Sequence, residues 1–92
     1  MELDDLARLL HIDSDEEKQN AGVYQKMAEQ YLLNAGCTID YEDGLFTGLV
    51  ISMVAKMLTK PDLLDNLKEG EDLTFNGLIA NCRLHQQVKQ NG

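Results

Sequence analysis

The chain has 92 residues and a mass of 10.3 kDa, the size of one domain with a thin core. Its 16 acidic and eight basic residues give a net charge of −8, which argues against wrapping of a phosphate backbone by clustered lysine and arginine. With 43% hydrophobic residues, one proline and seven glycines, the composition indicates a folded helical protein and argues against a disordered or turn-dense all-β chain.

Two helices are predicted in the first part of the chain. The first spans about residues 2–10, where apolar residues recur at spacings of three and four. The second spans about residues 15–35, and Ser14 followed by Glu17 fits a capping box at its start. Gly36 is the expected stop of this long helix, because glycine readily adopts the left-handed conformation that ends helices.

The third predicted helix spans about residues 43–59 and ends before Pro61. It is apolar nearly all round, with a narrow polar stripe of Gly48, Ser52 and Lys56. Such a helix has to be covered on most sides. Two interpretations stay open: it is the central helix of the bundle, or part of it meets another subunit. In the second case we expect the interface to consist of Leu45, Leu49, Val50, Met53, Val54 and Met57.

The rest of the chain contains one further predicted helix, at about residues 74–87. Before it, Pro61 fits the first turn of a short additional segment, and residues 68–72 form a polar connector. We expect residues 87–92 to be a polar, disordered tail. The predicted fold is therefore all-α, a single domain over residues 1–92 with about four helices, in which the long second helix packs on the apolar third.

The location of the protein is predicted from its N-terminus and its apolar segments. Residues 1–5 contain no basic segment of a signal peptide. The longest apolar stretch, residues 45–58, is too short to span a bilayer and contains Lys56. We therefore expect a protein that is made and kept in a cytoplasm, without a membrane partner.

The negative charge is concentrated in the first half of the chain. Residues 1–43 hold eleven acids and three bases, whereas residues 44–92 hold five of each. One interpretation is a solvated face that keeps a small protein soluble. The other is an acidic surface that faces something negative without adhering to it, or that binds a basic partner.

Motifs for catalysis or metal binding are not found in this sequence. Cys37 and Cys82 are far apart and belong to no CxxC pair, which argues against zinc. A calcium loop that starts at Asp13 lacks the glycine and glutamate it needs at positions six and twelve. Neither His11 nor His85 belongs to a recognisable nucleophile–base motif. We therefore expect no catalytic residues, no metal and no cofactor.

Several segments together resemble a known family. The chain opens with the leucine-rich segment 3–10, continues as Leu10-His11-Ile12-Asp13 with further acids, and has a long helix that ends in Ala35-Gly36. A closing segment, 78–83, holds Leu-Ile followed by arginine. Over about residues 3–84 this pattern resembles the small head–tail connector proteins of tailed bacteriophages and prophages, which are often labelled DNA-packaging proteins. His11 stands where the family usually has arginine, and segments 57–61 and 80–83 depart from the family's pattern.

The resemblance implies a structural protein without catalytic activity. Connectors of this family form a ring, typically dodecameric, below the portal protein of the filled head. They extend the DNA channel and carry the stopper or tail-completion proteins. The expected location is thus the head–tail junction of the virion, after assembly in the bacterial cytoplasm.

Particular residues are assigned to these contacts on this basis. A negative channel lets DNA pass without adhering, because like charges repel. The channel-facing candidates are Asp13, Asp15, Glu16 and Glu17. Loops on a rigid scaffold commonly carry docking sites, and the candidates for contact with portal or tail proteins are Asp40, Glu42, Asp43, Lys60, Asp62 and Lys68.

Two alternative functions are also considered from the sequence. A small acidic helical regulator or adaptor that binds a host or phage protein has the same composition, and it differs from a ring subunit in its oligomeric state. A helix-turn-helix protein would use Arg83, His85 and Lys89 on the last helix, but residues 74–77 at the start of that helix carry no base.

Overall fold

The computed structural model describes residues 1–91 and contains five helices. They are α1 (Leu3–Leu9), α2 (Asp15–Asn34), α3 (Gly44–Thr59), α4 (Leu63–Lys68) and α5 (Leu73–Asn91). The predicted all-α fold is confirmed, and the described residues include no strand. The bounds of α2 and α3 agree with the predicted helices to within one residue. The short helix α4 follows Pro61 and raises the predicted number of about four helices to five.

Three of the helices start at a side chain that accepts a backbone hydrogen bond. Ser14 Oγ accepts a hydrogen bond of 3.0 Å from Glu17 N, so the predicted cap of α2 is confirmed. Asp43 caps α3 through Leu45 N, and Asp72 accepts from Phe75 N in the first turn of α5. These contacts satisfy N–H groups that a helix leaves without an intrahelical partner.

Gly36 ends the long helix in the manner predicted. Its φ is +99°, in the left-handed region that L residues avoid, and Cys37 N then donates a 2.9 Å hydrogen bond back to Leu32 O. The chain thereby reverses and enters the loop that leads to α3.

Substitution of Gly36 by alanine is expected to lower the free energy of unfolding by about 1–2 kcal/mol, because an L residue is strained in this conformation. A Cβ atom here would also lie 3.0 Å from Arg83 Cδ. Gly48→Ala is the matched control: it lies within a regular helix with no atom within 4 Å of the added Cβ, so stability is expected to rise by about 0.5–1 kcal/mol. Urea unfolding followed by circular dichroism measures both changes, and a Gly36→Ala chain as stable as the wild type would contradict the assignment.

The core is built around α3. Helix α2 packs on α3, α1 packs on α2, and α4 and α5 pack on α3 and on each other. The largest fully buried side chains are Leu6, Leu32, Phe46, Val50, Met53, Val54, Met57, Leu63 and Cys82. More than half of this set belongs to α3, which is therefore the central helix of the bundle.

This packing corrects the predicted subunit interface. Five of its six side chains lie buried in the core of the single chain, namely Leu49, Val50, Met53, Val54 and Met57. The expectation failed because α4, which the sequence indicated only as a turn, joins α2 and α5 in covering this helix. Among the six residues, only Leu45 is exposed, at 41% of its accessible surface.

The end of the chain also differs from the prediction. Residues 87–91 continue α5 and do not form the disordered tail that was expected, while Gly92 lies outside the described residues. The helix is held just before this segment by Gln86, whose Nε2 donates to Thr38 O and whose Oε1 accepts from Thr38 N, both at 2.7 Å. This pair of bonds joins positions 48 residues apart and leaves no local trace in the sequence.

The five helices form a thin layer. The Cα atoms extend 42 × 29 × 17 Å, and the accessible surface is 5730 Å². A typical monomer of this mass exposes ~5,400 Å². Because the layer is thin, several helices keep one side in solvent, and large apolar residues on α2, α3 and α5 are exposed.

Candidate interaction surfaces

The four acids proposed for the channel lie around the start of α2. Asp13, Asp15, Glu16 and Glu17 are all exposed, and within residues 1–91 none of them forms an ion pair. The positive end of the helix dipole favours acids here. The adjacent base, Lys18, instead pairs with Asp4 of α1, and this hydrogen bond lowers the pKa of the Asp4 carboxyl. The start of α2 is thus an exposed group of four carboxylates.

The first predicted docking loop lies between α2 and α3. Glu42 is exposed, and Asp40 Oδ1 accepts from Glu42 N while its Oδ2 lies 3.9 Å from Lys89 Nζ. The prediction that Asp43 is a docking residue is wrong. Its side chain is buried, with 6% of the residue exposed, because it caps α3. His85 Nε2 lies 3.7 Å from Asp43 Oδ1 and covers it further. Asp40 and Glu42 therefore remain accessible, and Asp43 serves the fold.

The second predicted docking loop brackets α4. Lys60, Asp62 and Lys68 are all exposed, so each is available to a partner. Lys60 N donates to Lys56 O at the end of α3, and Leu63 N donates to Lys60 O, so the chain turns tightly between the two helices. A partner would thus meet a loop with a fixed backbone.

A half-buried tyrosine holds the first predicted docking loop against α2. Tyr41 OH donates to Glu29 Oε2 at 2.5 Å and accepts from Gln25 Nε2 at 3.1 Å. Its ring packs edge-on to Phe46, with the centroids 5.3 Å apart. Burial and the neighbouring Glu29 carboxylate raise the pKa of Tyr41, so the phenol keeps its proton and its donor role.

The two cysteines lie against each other in the core. Cys37 is in the loop between α2 and α3, and Cys82 is on α5. Both Cys37 and Cys82 are buried free thiols, and Cys37 Sγ lies 4.0 Å from Ile79 O. Burial raises the pKa of both thiols, that of Cys82 to about 11. Because the thiolate is the reactive form, thiols protonated at neutral pH are poor nucleophiles and behave as small core residues.

Both histidines are exposed. His11 is exposed, with a left-handed φ of 56°, in the turn between α1 and α2, while His85 is exposed on α5. Among residues 1–91, no group of histidine, cysteine and acidic side chains could hold a metal ion. None of the helices in this part of the chain is both long and apolar enough to cross a membrane.

An apolar groove lies between α3 and α5, and the sequence analysis did not identify it. We call it the α3–α5 groove; its volume is about 220 Å³ and it is lined by Gly44, Leu45, Gly48, Leu49, Ser52 and Leu78. Leu45 and Leu78 are 41% and 38% exposed, so the groove presents aliphatic surface. Its signal was present in the sequence: Gly44, Gly48 and Ser52 recur every four residues, but the last two were interpreted as part of a polar stripe.

A second surface is the solvent side of α2. We call it the α2 outer row; helical spacing places Glu16, Asn20, Val23, Met27 and Gln30 along it, and all five are exposed. Val23 is 56% exposed and Met27 40%. The buried residues of the same helix, such as Ala21 and Ala28, lie on its other side. The row and the α3–α5 groove share no residue.

These features define a small all-α protein with one acidic helix start, an apolar groove, a helix row with two exposed apolar side chains and two loops that the sequence predicts to dock partners. Comparison of the chain with family models, with curated proteins and with solved structures gives no match.

Proposed function

We propose that this chain is a structural subunit of a bacteriophage or prophage head–tail connector. In this proposal, copies of the chain form a ring below the portal protein, extend the DNA channel and carry a stopper or tail-completion protein. The proposal begins from the resemblance over residues 3–84. It assigns no catalytic step to any residue.

The observation that carries the proposal is the occurrence of an apolar groove, an exposed helix row and an exposed group of acids on one thin molecule. A ring subunit needs two contact surfaces for its two neighbours and a third surface for the channel. The α2 outer row and the α3–α5 groove supply two surfaces with exposed aliphatic side chains, and these surfaces share no residue. The exposed carboxylates of Asp13, Asp15 and Glu17 supply a negative surface, which repels DNA phosphates.

The docking loops fit contacts above and below such a ring. Asp40 and Glu42 lie on the loop that Tyr41 holds to α2, and Lys60 and Lys68 flank α4. Loops with a fixed backbone lose little conformational entropy when they bind a partner. We assign these residues to the portal and the stopper or tail protein without choosing which loop meets which partner.

The test is the mass of the chain in solution, measured by light scattering over a concentration series with and without the purified portal ring of the same phage. The expected result is a discrete oligomer, alone or on the portal, whose mass is a whole number of subunits. A monomer or dimer that ignores the portal at every concentration would overturn the proposal and favour the acidic regulator that binds another host or phage protein.

A further inference from the structure

The charges of the chain are divided between its helices. Helices α3 and α5 contain no acidic residue, and their bases are Lys56, Arg83 and Lys89. The part of the chain before α3 holds eleven acids and three bases. The helices that line the groove therefore carry bases but no acids, and the segment that contains α2 is mostly acidic. Lys89 already lies beside Asp40 of the same chain, whereas Lys56 is exposed and forms no ion pair among residues 1–91, so it is complementary to an acid of a second copy.

An opposite charge lies at a matching distance from the aliphatic part of each surface. On α3, Lys56 lies eleven residues after Leu45, which lines the groove. On the α2 outer row, Glu16 lies eleven residues before Met27. Each pair spans ~17 Å along its helix at the 1.5 Å rise per residue. If α2 of one copy runs opposite to α3 of another, Met27 reaches the groove as Glu16 reaches Lys56.

We propose that the α3–α5 groove of one copy binds the α2 outer row of a second copy, with Val23 and Met27 against Leu45 and Leu78 and with Glu16 beside Lys56. The proposal rests on the proposed function, since it names the contact between ring subunits. The exposed aliphatic side chains on both surfaces would leave water together. Because Lys56 lies at one end of its surface and Glu16 at one end of the other, pairing of these two residues fixes the direction in which α2 runs along α3.

This contact is heterologous, because it joins two different surfaces. Each added copy leaves one groove and one row free, so the assembly grows until it closes as a ring. In that arrangement Glu16 belongs to the subunit contact, whereas Asp13, Asp15 and Glu17 remain for the channel. The contact thus divides the four acids between two roles.

Two variants that each block one surface test the contact. Gly48→Gln fills the groove, and the helix accepts it because no atom lies within 4 Å of the added Cβ. Val23→Lys places a base on the outer row, at a side chain that is 56% exposed. Gly77→Gln is the matched control, since this glycine of α5 is equally open and does not line the groove. Sedimentation of each chain, alone and on the portal ring, gives the assembly state.

The decisive sample is the equimolar mixture of the two blocked chains. Each blocked variant is expected to weaken self-association at least tenfold, while Gly77→Gln assembles like the wild type. The mixture is expected to form a 1:1 heterodimer and nothing larger, because only one intact groove and one intact row remain for each pair of chains. A mixture that stays monomeric up to about 1 mM would overturn the proposal, because a contact with a Kd above this concentration is too weak to count as specific.

Charge exchange at the ends of the contact gives an independent readout. Lys56→Glu is expected to weaken assembly, and Glu16→Lys in the same chain is expected to restore it, because the pair is then reversed and not broken. A double variant no better than Lys56→Glu alone would contradict the proposed direction of α2 on α3.

Failure of this contact is distinguishable from failure of the connector proposal. If the wild type and both blocked variants form the same ring on the portal, the contact is wrong and the connector function stands. If the mixed variants form the heterodimer but the wild type never binds the portal, the contact stands and the connector function is wrong.

Discussion

Truncation of Phe46 to alanine is expected to lower the free energy of unfolding by about 3–5 kcal/mol, the range found for large aromatic side chains in cores. The side chain is fully buried in α3, and its ring packs edge-on to Tyr41 at an interplanar angle of 73°. The substitution removes this contact and leaves a cavity. Because a domain of this kind is stable by only about 5–15 kcal/mol, the variant should be marginally folded at room temperature.

The neighbouring residue provides the control. Leu45→Ala removes an aliphatic side chain from the same helix turn, but one that is 41% exposed, so the expected loss is under about 1 kcal/mol. Urea unfolding of both variants at one protein concentration gives the comparison. A similar loss for the two variants would contradict the assignment of Phe46 to the core and of Leu45 to the surface.

The helices of this chain could be predicted because their signals are local. The stripe of α1, the serine cap at Ser14 and the stop at Gly36 depend on residues within a few positions of each other. Pro61 likewise marks the end of α3. Each signal works through backbone groups of the same helix, so no knowledge of the tertiary structure is needed.

The side of α3 that faces solvent could not be predicted in the same way. Its sequence is apolar nearly all round, so periodicity alone does not separate the covered side from the exposed one. The packing of α2, α4 and α5 on α3 decides this, and it buries Val50 and Val54 while leaving Gly48 and Ser52 at the surface. The subunit contact that we propose therefore lies on the side of α3 with small residues and not on its core side.

Asp43 and Gln86 show a second limit of sequence-based prediction. Asp43 belongs to an acidic loop segment, yet its side chain is enclosed because the loop folds back to start α3 and α5 lies over it. Gln86 lies in the polar end of the predicted last helix, where nothing nearby in the sequence indicates a partner, yet it binds the backbone of Thr38. Both roles depend on contacts between distant parts of the chain, which the local sequence does not encode.

Reversal of three acids at the start of α2 is expected to convert a surface that repels DNA into one that binds it. The variant Asp13→Lys, Asp15→Lys and Glu17→Lys keeps the Ser14 cap and changes the charge of each subunit by six units. Loss of favourable dipole contacts should cost about 0.3–1 kcal/mol for each residue, which a folded domain tolerates. The assembled variant should bind duplex DNA with a Kd of roughly 10⁻⁴–10⁻⁶ M or tighter, weakening steeply with salt.

The control carries the same change in charge elsewhere. Asp65→Lys, Glu69→Lys and Glu71→Lys reverse three exposed acids in and after α4, none of which is assigned to the channel or to a docking contact. Fluorescence anisotropy of a short labelled duplex, measured from about 50 to 200 mM salt, compares the two variants on the portal-bound assembly. Because the two variants have the same net charge, tighter DNA binding by the first variant would depend on where the lysines lie and not on their charge alone. Equal binding by both would contradict the placement of Asp13, Asp15 and Glu17 on the channel wall.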